Sequence, residues 1–275
     1  RPAGRHDEFL QKETAQRLNF QTNGRRQMNL KALFRKKDET PKCSVVIVAA
    51  GSSQRMGTDK IFMKLGPMPV LVRTVLAFQD NPLTDEIIIV TRRDKLEEVA
   101  DLCHNCGLSK VSKVIIGGST RMESALAGVS EVKKGAKLVA IHDGARPLVT
   151  QDVINRVIYD ASVHMSSIPV IPSTDTLKAV DDNGNVTGTV DRSRTVRVQT
   201  PQVFDADLIK GALTKAAKDA MQITDDCSAM DIMGIKTHTV MGDVDNIKIT
   251  TPNDMVAAEA IIKNRGDWNA NRAWV

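Results

Sequence analysis

A regular alternation of strand-like and helix-like segments, beginning at residue 44, constrains the fold of this chain more than any other feature. Apolar, β-branched runs recur at 45–49, 86–91, 113–116, 138–142 and 167–171. Segments with helical spacing lie between them, at 70–79, 96–106, 121–131 and 151–164. This pattern is typical of βαβ units and a mostly parallel sheet. The chain has only one Tyr, two Trp and six Phe, so its core must be aliphatic, as suits such a sheet. We therefore predict an α/β, Rossmann-like fold with helices on both faces of the sheet.

The alternation stops between residues 173 and 200. Two short strand-like runs, 176–180 and 186–190, flank Asn183-Gly184, a dipeptide that favours a hairpin turn. An isolated hairpin is marginal in water, so one that projects from the body needs a partner to cover it. We predict a dimerisation arm at about 173–200 and a homodimer. Beyond the arm, the pattern predicts a helix at 205–220, strands at 236–241 and 247–250, and a helix at 252–263 that Thr251 caps.

The charge of the chain is unevenly distributed. Residues 1–42 hold eleven of the 38 Lys and Arg but only five of the 33 Asp and Glu, so residues 43–275 are close to neutral. We expect 1–42 to be a flexible basic extension and 43–275 to be one folded domain. Because the basic excess is confined to the extension, we expect no nucleic-acid partner. No apolar run reaches the roughly 20 residues that span a bilayer, so we expect no membrane partner and a cytoplasmic protein.

The four cysteines, Cys43, Cys103, Cys106 and Cys227, are not spaced as a disulfide framework or as a complete zinc site. Cys103 and Cys106 have the spacing of half a metal site or of a redox pair, but no second such pair follows. We expect reduced thiols in a helix.

A loop rich in small residues follows the first strand. The sequence AAGSSQRMG at 49–57 lets the backbone turn its N–H groups toward a bound anion, and Arg55 and Lys60 add positive charge. The loop matches neither the Walker pattern GxxxxGK[ST] nor the dinucleotide-binding pattern GxGxxG. An ordinary tight turn between a strand and a helix would also contain such a glycine, so the loop alone does not identify a phosphate site. Gly117-Gly118 and His142-Asp143 also follow strands, so they should lie at the same edge of a parallel sheet. This convergence favours a site for a nucleoside triphosphate whose phosphates react.

Nine motifs occur in an order that resembles one family of nucleotidyltransferases. They are AAGSSQRMG (49–57), Lys60, GGSTRMES (117–124), HDGARP (142–147), DTLK (175–178), TVDR (189–192), QTPQ (199–202), TDD (224–226) and DNIKIT (245–250). The chain is thereby similar to the 2-C-methyl-D-erythritol 4-phosphate cytidylyltransferases over about residues 44–262. The resemblance implies a catalytic domain that transfers CMP from CTP to the phosphate of methylerythritol phosphate. The products would be 4-diphosphocytidyl-2-C-methyl-D-erythritol, an isoprenoid precursor of the non-mevalonate pathway, and pyrophosphate.

The resemblance also implies residue roles on the triphosphate side. Arg55 and Lys60 match the two cations that stabilise the transition state. The positions that match contacts to CTP are Ala49, Ala50, Gly51, Ser52, Ser53, Gly118, Ser124 and Asp143. Asp143 would also hold Mg²⁺, because this hard cation prefers carboxylate and phosphate oxygens, with Asp245 as a second contact. The alternative for Asp143, beside Gly144, is a helix cap or turn residue.

On the acceptor side, Arg192 and Lys248 match the residues that position methylerythritol phosphate, and Arg192 would reach the active site of the partner subunit. Further matches to acceptor contacts are Arg146, Thr176, Thr200 and Thr224. Without the TVDR match, Arg192 would be interpreted as a solvated hairpin charge. The acceptor supplies an ionised phosphate oxygen as the nucleophile, so the reaction needs no general base. We therefore expect His142 to be a packed residue rather than a catalytic one.

Some positions depart from the family pattern. The residues 193–196 stand where a Leu-Trp pair is usual, Gly144 stands where Ala or Ser is common, and Met122-Glu123 are unusual. The nearest alternative is a ribitol-5-phosphate cytidylyltransferase, and a relative that uses another nucleoside triphosphate is a weaker one. A non-catalytic nucleotide-binding homologue and a nucleic-acid-binding protein that acts through the basic extension are alternatives from other classes. Retention of all four presumed catalytic cations argues against the non-catalytic alternative.

Overall fold

An eight-stranded mixed sheet forms the centre of the computed structural model, which describes residues 40–51 and 59–266. The strands are β1 (Cys43–Val48), β4 (Thr84–Thr91), β5 (Val111–Ile116), β6 (Leu138–Asp143), β7 (Ser166–Pro172), β10 (Val196–Val198), β11 (Gln202–Asp205) and β12 (His238–Met241). Two further pairs lie outside it: β2 (Lys64–Leu65) with β3 (Met68–Pro69), and β8 (Lys178–Val180) with β9 (Val186–Thr189). Seven helices complete the described fold: α1 (Val70–Gln79), α2 (Leu96–Asn105), α3 (Arg121–Ser130), α4 (Gln151–His164), α5 (Ala206–Lys218), α6 (Asp226–Ile232) and α7 (Pro252–Arg265).

The order of strands across the sheet is β5-β4-β1-β6-β11-β7, and both β10 and β12 pair with β7. The pairs β1–β4, β1–β6, β4–β5 and β7–β12 are parallel. In contrast, β11 runs antiparallel to both of its neighbours, and β10 runs antiparallel to β7. The sheet is therefore mostly parallel, as predicted, and its reversed strands follow the arm.

Alternating side chains of β1 show how the sheet is covered. Val45 and Ile47 pack into one buried cluster, to which α1, α2 and α4 contribute Phe78, Val99 and Ile154. Val46 packs into a second cluster on the opposite face, to which α3, α5 and α6 contribute residues such as Val129, Ile209 and Met230. Because successive side chains of a strand point to opposite faces, a strand that is apolar throughout must be covered on both sides. The prediction of helices on both faces is confirmed.

The predicted hairpin is present. β8 and β9 pair in antiparallel fashion, and Gly184 adopts a left-handed conformation (φ 82°) in the turn between them. Asp181 stabilises this turn because its carboxylate accepts hydrogen bonds from the backbone N–H groups of Asn183 and Asn185 (3.0 and 2.8 Å). Val180 and Val186 are mostly exposed. The role of this hairpin in dimerisation stays a prediction.

The segment 247–250 was expected to be a strand, and this expectation is wrong. The segment is irregular, although Ile249 is fully buried against Met255 and Ile262 of α7. The N–H of Ile249 donates to the carbonyl of Ala145 (2.8 Å). This bond holds the segment beside the end of β6 without forming a ladder of strand hydrogen bonds. The alternating apolar residues thus reflect packing against a helix rather than strand pairing.

The helix predicted at 252–263 starts where the sequence indicated. Pro252 occupies its first turn, and the Asp254 carboxylate accepts hydrogen bonds from the N–H groups of Thr250 and Thr251 (both 2.8 Å). Within residues 40–51 and 59–266, no helix combines the length and apolar character that crossing a membrane requires.

Candidate active site

A cleft of about 630 Å³ lies at the carboxyl ends of β1 and β6. It lies there because parallel strands point their carboxyl ends to the same edge, where the loops that follow can converge. Eight of the predicted site residues line this cleft: Ala49, Ala50, Gly51, Lys60, Gly118, Ser124, Asp143 and Lys248. Ser52, Ser53 and Arg55 lie outside the described residues. The convergence of the three strand-end segments is confirmed.

Backbone hydrogen bonds draw these loops together behind the cleft. The N–H of Ala49 donates to the carbonyl of Val90 (2.7 Å), and that of Gly144 donates to the carbonyl of Val48 (2.9 Å). The N–H of Gly117 donates to the carbonyl of Thr91 (2.8 Å). Each bond extends a strand pairing by a residue or two, so the cleft wall is a continuation of the sheet.

The glycines of the site serve two different purposes. A Cβ atom on Gly118 would lie only 2.2 Å from the Cβ of Glu123, so this glycine is required by the packing of the turn. Among the described residues, no atom lies within 4 Å of a Cβ atom placed on Gly51, so those residues leave room beside its backbone in the cleft.

Glu123 shapes the turn that precedes α3. Its carboxylate accepts hydrogen bonds from the N–H groups of Ser119 and Thr120 (2.7 and 3.1 Å), and the Thr120 side chain caps the helix in return. These hydrogen bonds hold the pKa of Glu123 below its usual range. The Thr-x-x-Glu spacing of a capping box is visible in the sequence, but we predicted only nucleotide contacts for this segment.

Three cations surround the carboxylate of Asp143. Its oxygens lie 3.0 Å from Nζ of Lys248, 3.3 Å from Nε of Arg121 and 3.4 Å from Nε of Arg146. Asp143 is only 7% exposed. Burial alone would raise the pKa of this carboxyl, but the charges of Arg121, Lys248 and Arg146 outweigh it and hold the pKa far below the usual range. Asp143 is therefore a permanent anion that gathers cations at the cleft.

Arg121 joins Asp143 to a second carboxylate. Its two Nη atoms donate to the oxygens of Asp226 at 2.8 and 2.7 Å, and Asp226 is fully buried at the start of α6. Such a two-pronged pair fixes the guanidinium in direction as well as position. The sequence analysis recognised both motifs but not this pairing, because the two residues lie 105 positions apart.

His142 is buried behind the cleft, as expected. Its Nε2 donates to the carbonyl of Arg146 (3.1 Å), which leaves Nδ1 to accept from the hydroxyl of Thr200 (3.0 Å). The same hydroxyl accepts from the backbone N–H of Asp143 (3.2 Å). Burial lowers the pKa of His142 to about 4, so the ring is neutral near pH 7. Thr200 therefore braces the backbone of Asp143 and lies behind the cleft wall.

Six predicted site residues are not among those that line the described cleft; two of them, Arg146 and Thr200, contact Asp143 directly. Of the other four, Arg192 begins a short 3₁₀ turn after β9 and is exposed, as is Thr176 before β8. Thr224 is exposed, with Oγ1 3.4 Å from Oγ of Ser228. Asp245 forms an ion pair with Arg265 at 3.1 Å. The described part of the subunit thus brings together those residues predicted to contact the triphosphate that it includes, whereas most of the residues predicted to contact the acceptor do not line the cleft.

Arg92, which was not singled out from the sequence, contacts the two described residues on either side of 52–58. Its Nη1 donates to the carbonyl of Gly51 (3.0 Å), and its Nη2 donates to the carboxylate of Asp59 (2.6 Å). Arg92 follows β4, the neighbour of β1, so the sheet places it beside the loop. The only signal in the sequence was a basic residue directly after a buried strand.

The described lining of the cleft is positively charged overall. Lys60, Arg121 and Lys248 contribute three positive charges, and Asp143 contributes one negative charge. A concave site with a net positive charge concentrates anions, and an anion that carries several phosphates would contact several cations at once. The arrangement suits a polyphosphate ligand.

Comparison with known proteins assigns the chain to a family. The model of the family described as 2-C-methyl-D-erythritol 4-phosphate cytidylyltransferase matches residues 43–264. A relative of that name from Halalkalibacterium halodurans is 38% identical over 224 residues, which cover 81% of this chain and 97% of the relative. One from Symbiobacterium thermophilum is 40% identical over 222 residues, covering 80% and 92%. The crystal structure of 4-diphosphocytidyl-2C-methyl-D-erythritol synthase from Anaerococcus prevotii superposes with a TM-score of 0.73 at 30% identity, covering 81% of this chain and 96% of that one. The chain therefore belongs to the 2-C-methyl-D-erythritol 4-phosphate cytidylyltransferase family.

Proposed function

We propose that this protein transfers the CMP group of CTP to the phosphate of 2-C-methyl-D-erythritol 4-phosphate. The observation that carries the proposal is the cluster of Lys60, Arg121 and Lys248 around a glycine-lined strand edge, in a chain of this family. An oxygen of the acceptor phosphate attacks the α-phosphorus of CTP. The bond between the α-phosphorus and its bridging oxygen breaks, and pyrophosphate leaves with that oxygen. Both reactants are anions, so their approach requires positive charge in the cleft.

Lys60 and Arg55 have the leading roles in this proposal. Nucleotidyl transfer depends on positioning and on stabilisation of charge more than on covalent help from the protein. Lys60 lines the cleft, where its ammonium can neutralise charge that develops on the triphosphate. Arg55 is assigned the same task from its motif. No general base is needed, in keeping with a neutral and buried His142.

Asp143 is the residue that fits a Mg²⁺ ion. Mg²⁺ is usually bound through one or two carboxylates together with substrate phosphates and water. Asp143 lines the cleft with an ionised carboxylate, whereas Asp245 is not among the described residues that line it. We therefore assign the metal contact to Asp143 together with the triphosphate, and not to Asp245. When bound, the ion would supply positive charge to the triphosphate.

For the acceptor, we propose Lys248 and Arg146 from one subunit and Arg192 and Thr176 of the partner subunit. Lys248 lines the cleft, and Arg146 lies beside it, held by Asp143 and by the carbonyl of Asn246 (2.8 Å). The exposed hairpin β8–β9, with its mostly exposed Val180 and Val186, supports a homodimer in which the arm completes the neighbouring site. We also propose a cytoplasmic location, where both charged substrates are soluble.

Pyrophosphate release tests the proposal. The protein is supplied with CTP and Mg²⁺, and methylerythritol phosphate is compared with ribitol 5-phosphate as the acceptor. Release with methylerythritol phosphate alone is expected. Release with ribitol 5-phosphate alone would move the enzyme to polyol activation. Release with neither, from a dimer that still binds CTP, would overturn the proposed acceptor.

A further inference from the structure

A second cluster of metal-ligating side chains lies away from the cleft, on the face formed by α4 and the edge strand β12. It consists of Asp160 and His164, one turn apart on α4, and His238, the first residue of β12. Each offers a ligand atom, and these atoms all lie within 4.8 Å of one another. Among the described residues, this is the one group of three or more His, Cys, Asp or Glu side chains whose ligand atoms lie this close together.

The contacts within the cluster already orient its members. Nδ1 of His238 lies 2.7 Å from one carboxylate oxygen of Asp160, and Nε2 of His164 lies 3.8 Å from the other. The two imidazole rings stack with their centroids 4.1 Å apart and an angle of 17° between their planes. Asp160 is largely buried, whereas both imidazoles are about half exposed and can rotate. Both rings therefore present a nitrogen to the same carboxylate.

We propose that Asp160, His164 and His238 form a surface site for a divalent transition-metal ion such as Zn²⁺. Two imidazoles and a carboxylate are a donor set that suits zinc and copper rather than magnesium. In a tetrahedral zinc site the ligand atoms lie about 3.3 Å apart, since zinc–nitrogen bonds are about 2.0–2.1 Å long. Rotation of the two exposed rings would close the cluster to this spacing, and water would fill the fourth position.

The site would fasten the edge of the sheet to a helix. β12 is an edge strand that pairs only with β7 among the described strands, and α4 packs beside it. The guanidinium of Arg156, one turn before Asp160, donates to the carbonyl of Met241 at the other end of β12. A metal ion at His238 would fix the first end of the strand as Arg156 fixes the last. Its effect would be to stabilise the folded state rather than to take part in nucleotidyl transfer.

Zinc titration by calorimetry, with millimolar Mg²⁺ present throughout, tests this proposal. We expect the wild-type protein to bind one zinc ion per chain at this site. The variants H164A, H238A and D160N should each bind zinc at least tenfold more weakly. H104A is the matched control, because His104 is an exposed histidine on α2 outside the cluster, and its affinity should not change. Cys106→Ala, at the half-buried thiol of the Cys103–Cys106 pair, controls for thiol binding and should also leave the titration unchanged.

Thermal unfolding gives a second readout that does not depend on activity. A ligand that binds only the folded state stabilises it by mass action. At a zinc concentration a hundredfold above the dissociation constant, the Tm of the wild type should rise by about 5 °C, and that of H238A should not. Circular dichroism confirms that the variants are folded. Absence of saturable zinc binding in the wild type would overturn the proposal, as would wild-type affinity in both H164A and H238A.

Discussion

Breaking the pair of Arg121 and Asp226 should destabilise the protein strongly and in a pH-dependent manner. In Arg121→Met, the fully buried carboxylate of Asp226 loses two short hydrogen bonds and its compensating charge. Removing one partner of a buried ion pair costs about 3–5 kcal/mol, because the other charge stays buried and unpaired. Asp143 should suffer less, since Lys248 and Arg146 remain beside it. The expected loss in the free energy of unfolding corresponds to a fall in Tm of about 6–20 °C.

The pH dependence identifies the cause of that loss. Burial raises the pKa of Asp226 above its ordinary value of 3.8 even with Arg121 present, and removal of the guanidinium must raise it further. A carboxyl whose folded-state pKa is raised binds its proton more tightly in the folded state, so its penalty grows as the pH rises. The deficit of Arg121→Met relative to the wild type should therefore shrink as the pH falls through the range between the pKa of Asp226 in the variant and its lower pKa in the wild type.

Urea unfolding of four proteins tests this reasoning: the wild type, Arg121→Met, Asp226→Leu, and the double variant. Replacing both partners removes the buried charge together with its counterion, so the double variant should recover most of the loss. A deficit below about 1 kcal/mol in Arg121→Met, or one that does not change with pH, would refute the idea that Asp226 is an ionised partner of Arg121.

Three further predictions concern the cleft. Lys60→Ala should lower kcat by about 10²–10³ with little change in Tm, because Lys60 stabilises developing charge; near-normal turnover would remove it from the catalytic role. Arg92→Ala should lower kcat/KM for CTP by at least about tenfold, since Arg92 contacts both Gly51 and Asp59. The same change at its exposed neighbour, Arg93→Ala, should not lower kcat/KM, and equal kinetics of the two variants would contradict the positioning role of Arg92. Gly51→Ala should fold normally, because a Cβ there meets no atom of the described residues within 4 Å, yet it should bind CTP more weakly in calorimetry. Gly211→Ala, which is equally unhindered by the described residues on α5, is the control, and unchanged CTP affinity in Gly51→Ala would show that this space is not used.

The sequence predicted the alternating part of the fold well because its signals are local. α1 and α4 begin and end at the predicted residues, and the predicted strands from 45–49 to 167–171 are all present. β11 and α6 were missed because they are short: β11 has four residues and α6 has seven. Strand 247–250 was wrong because burial against a helix can imitate the alternation of a strand.

The candidate site divides in the same way. Residues at or shortly after the end of a strand, such as Asp143 and Gly51, could be located from the pattern alone, since topology brings strand ends together. The contacts of Arg121 with Asp226 and of Arg92 with Gly51 join residues 105 and 41 positions apart, and no local pattern records such a pair. Arg192 and Thr176 are exposed and do not line the described cleft, so their proposed role at the acceptor requires the second subunit of the proposed homodimer.

The reversed direction of β11 has a consequence for how the rim of the site can be remodelled. β10 and β11 lie successively along β7, so β7 and these two strands form one long antiparallel hairpin. Residues 173–195, including β8 and β9, are the loop at its tip. Both ends of that loop lie at the sheet edge that carries the cleft, where Thr200 braces Asp143. This loop can therefore be lengthened, shortened or exchanged without altering the order of any strand. In the proposed arrangement, exchanging this loop would change the acceptor side of the site and leave in place the strands that carry the proposed triphosphate side.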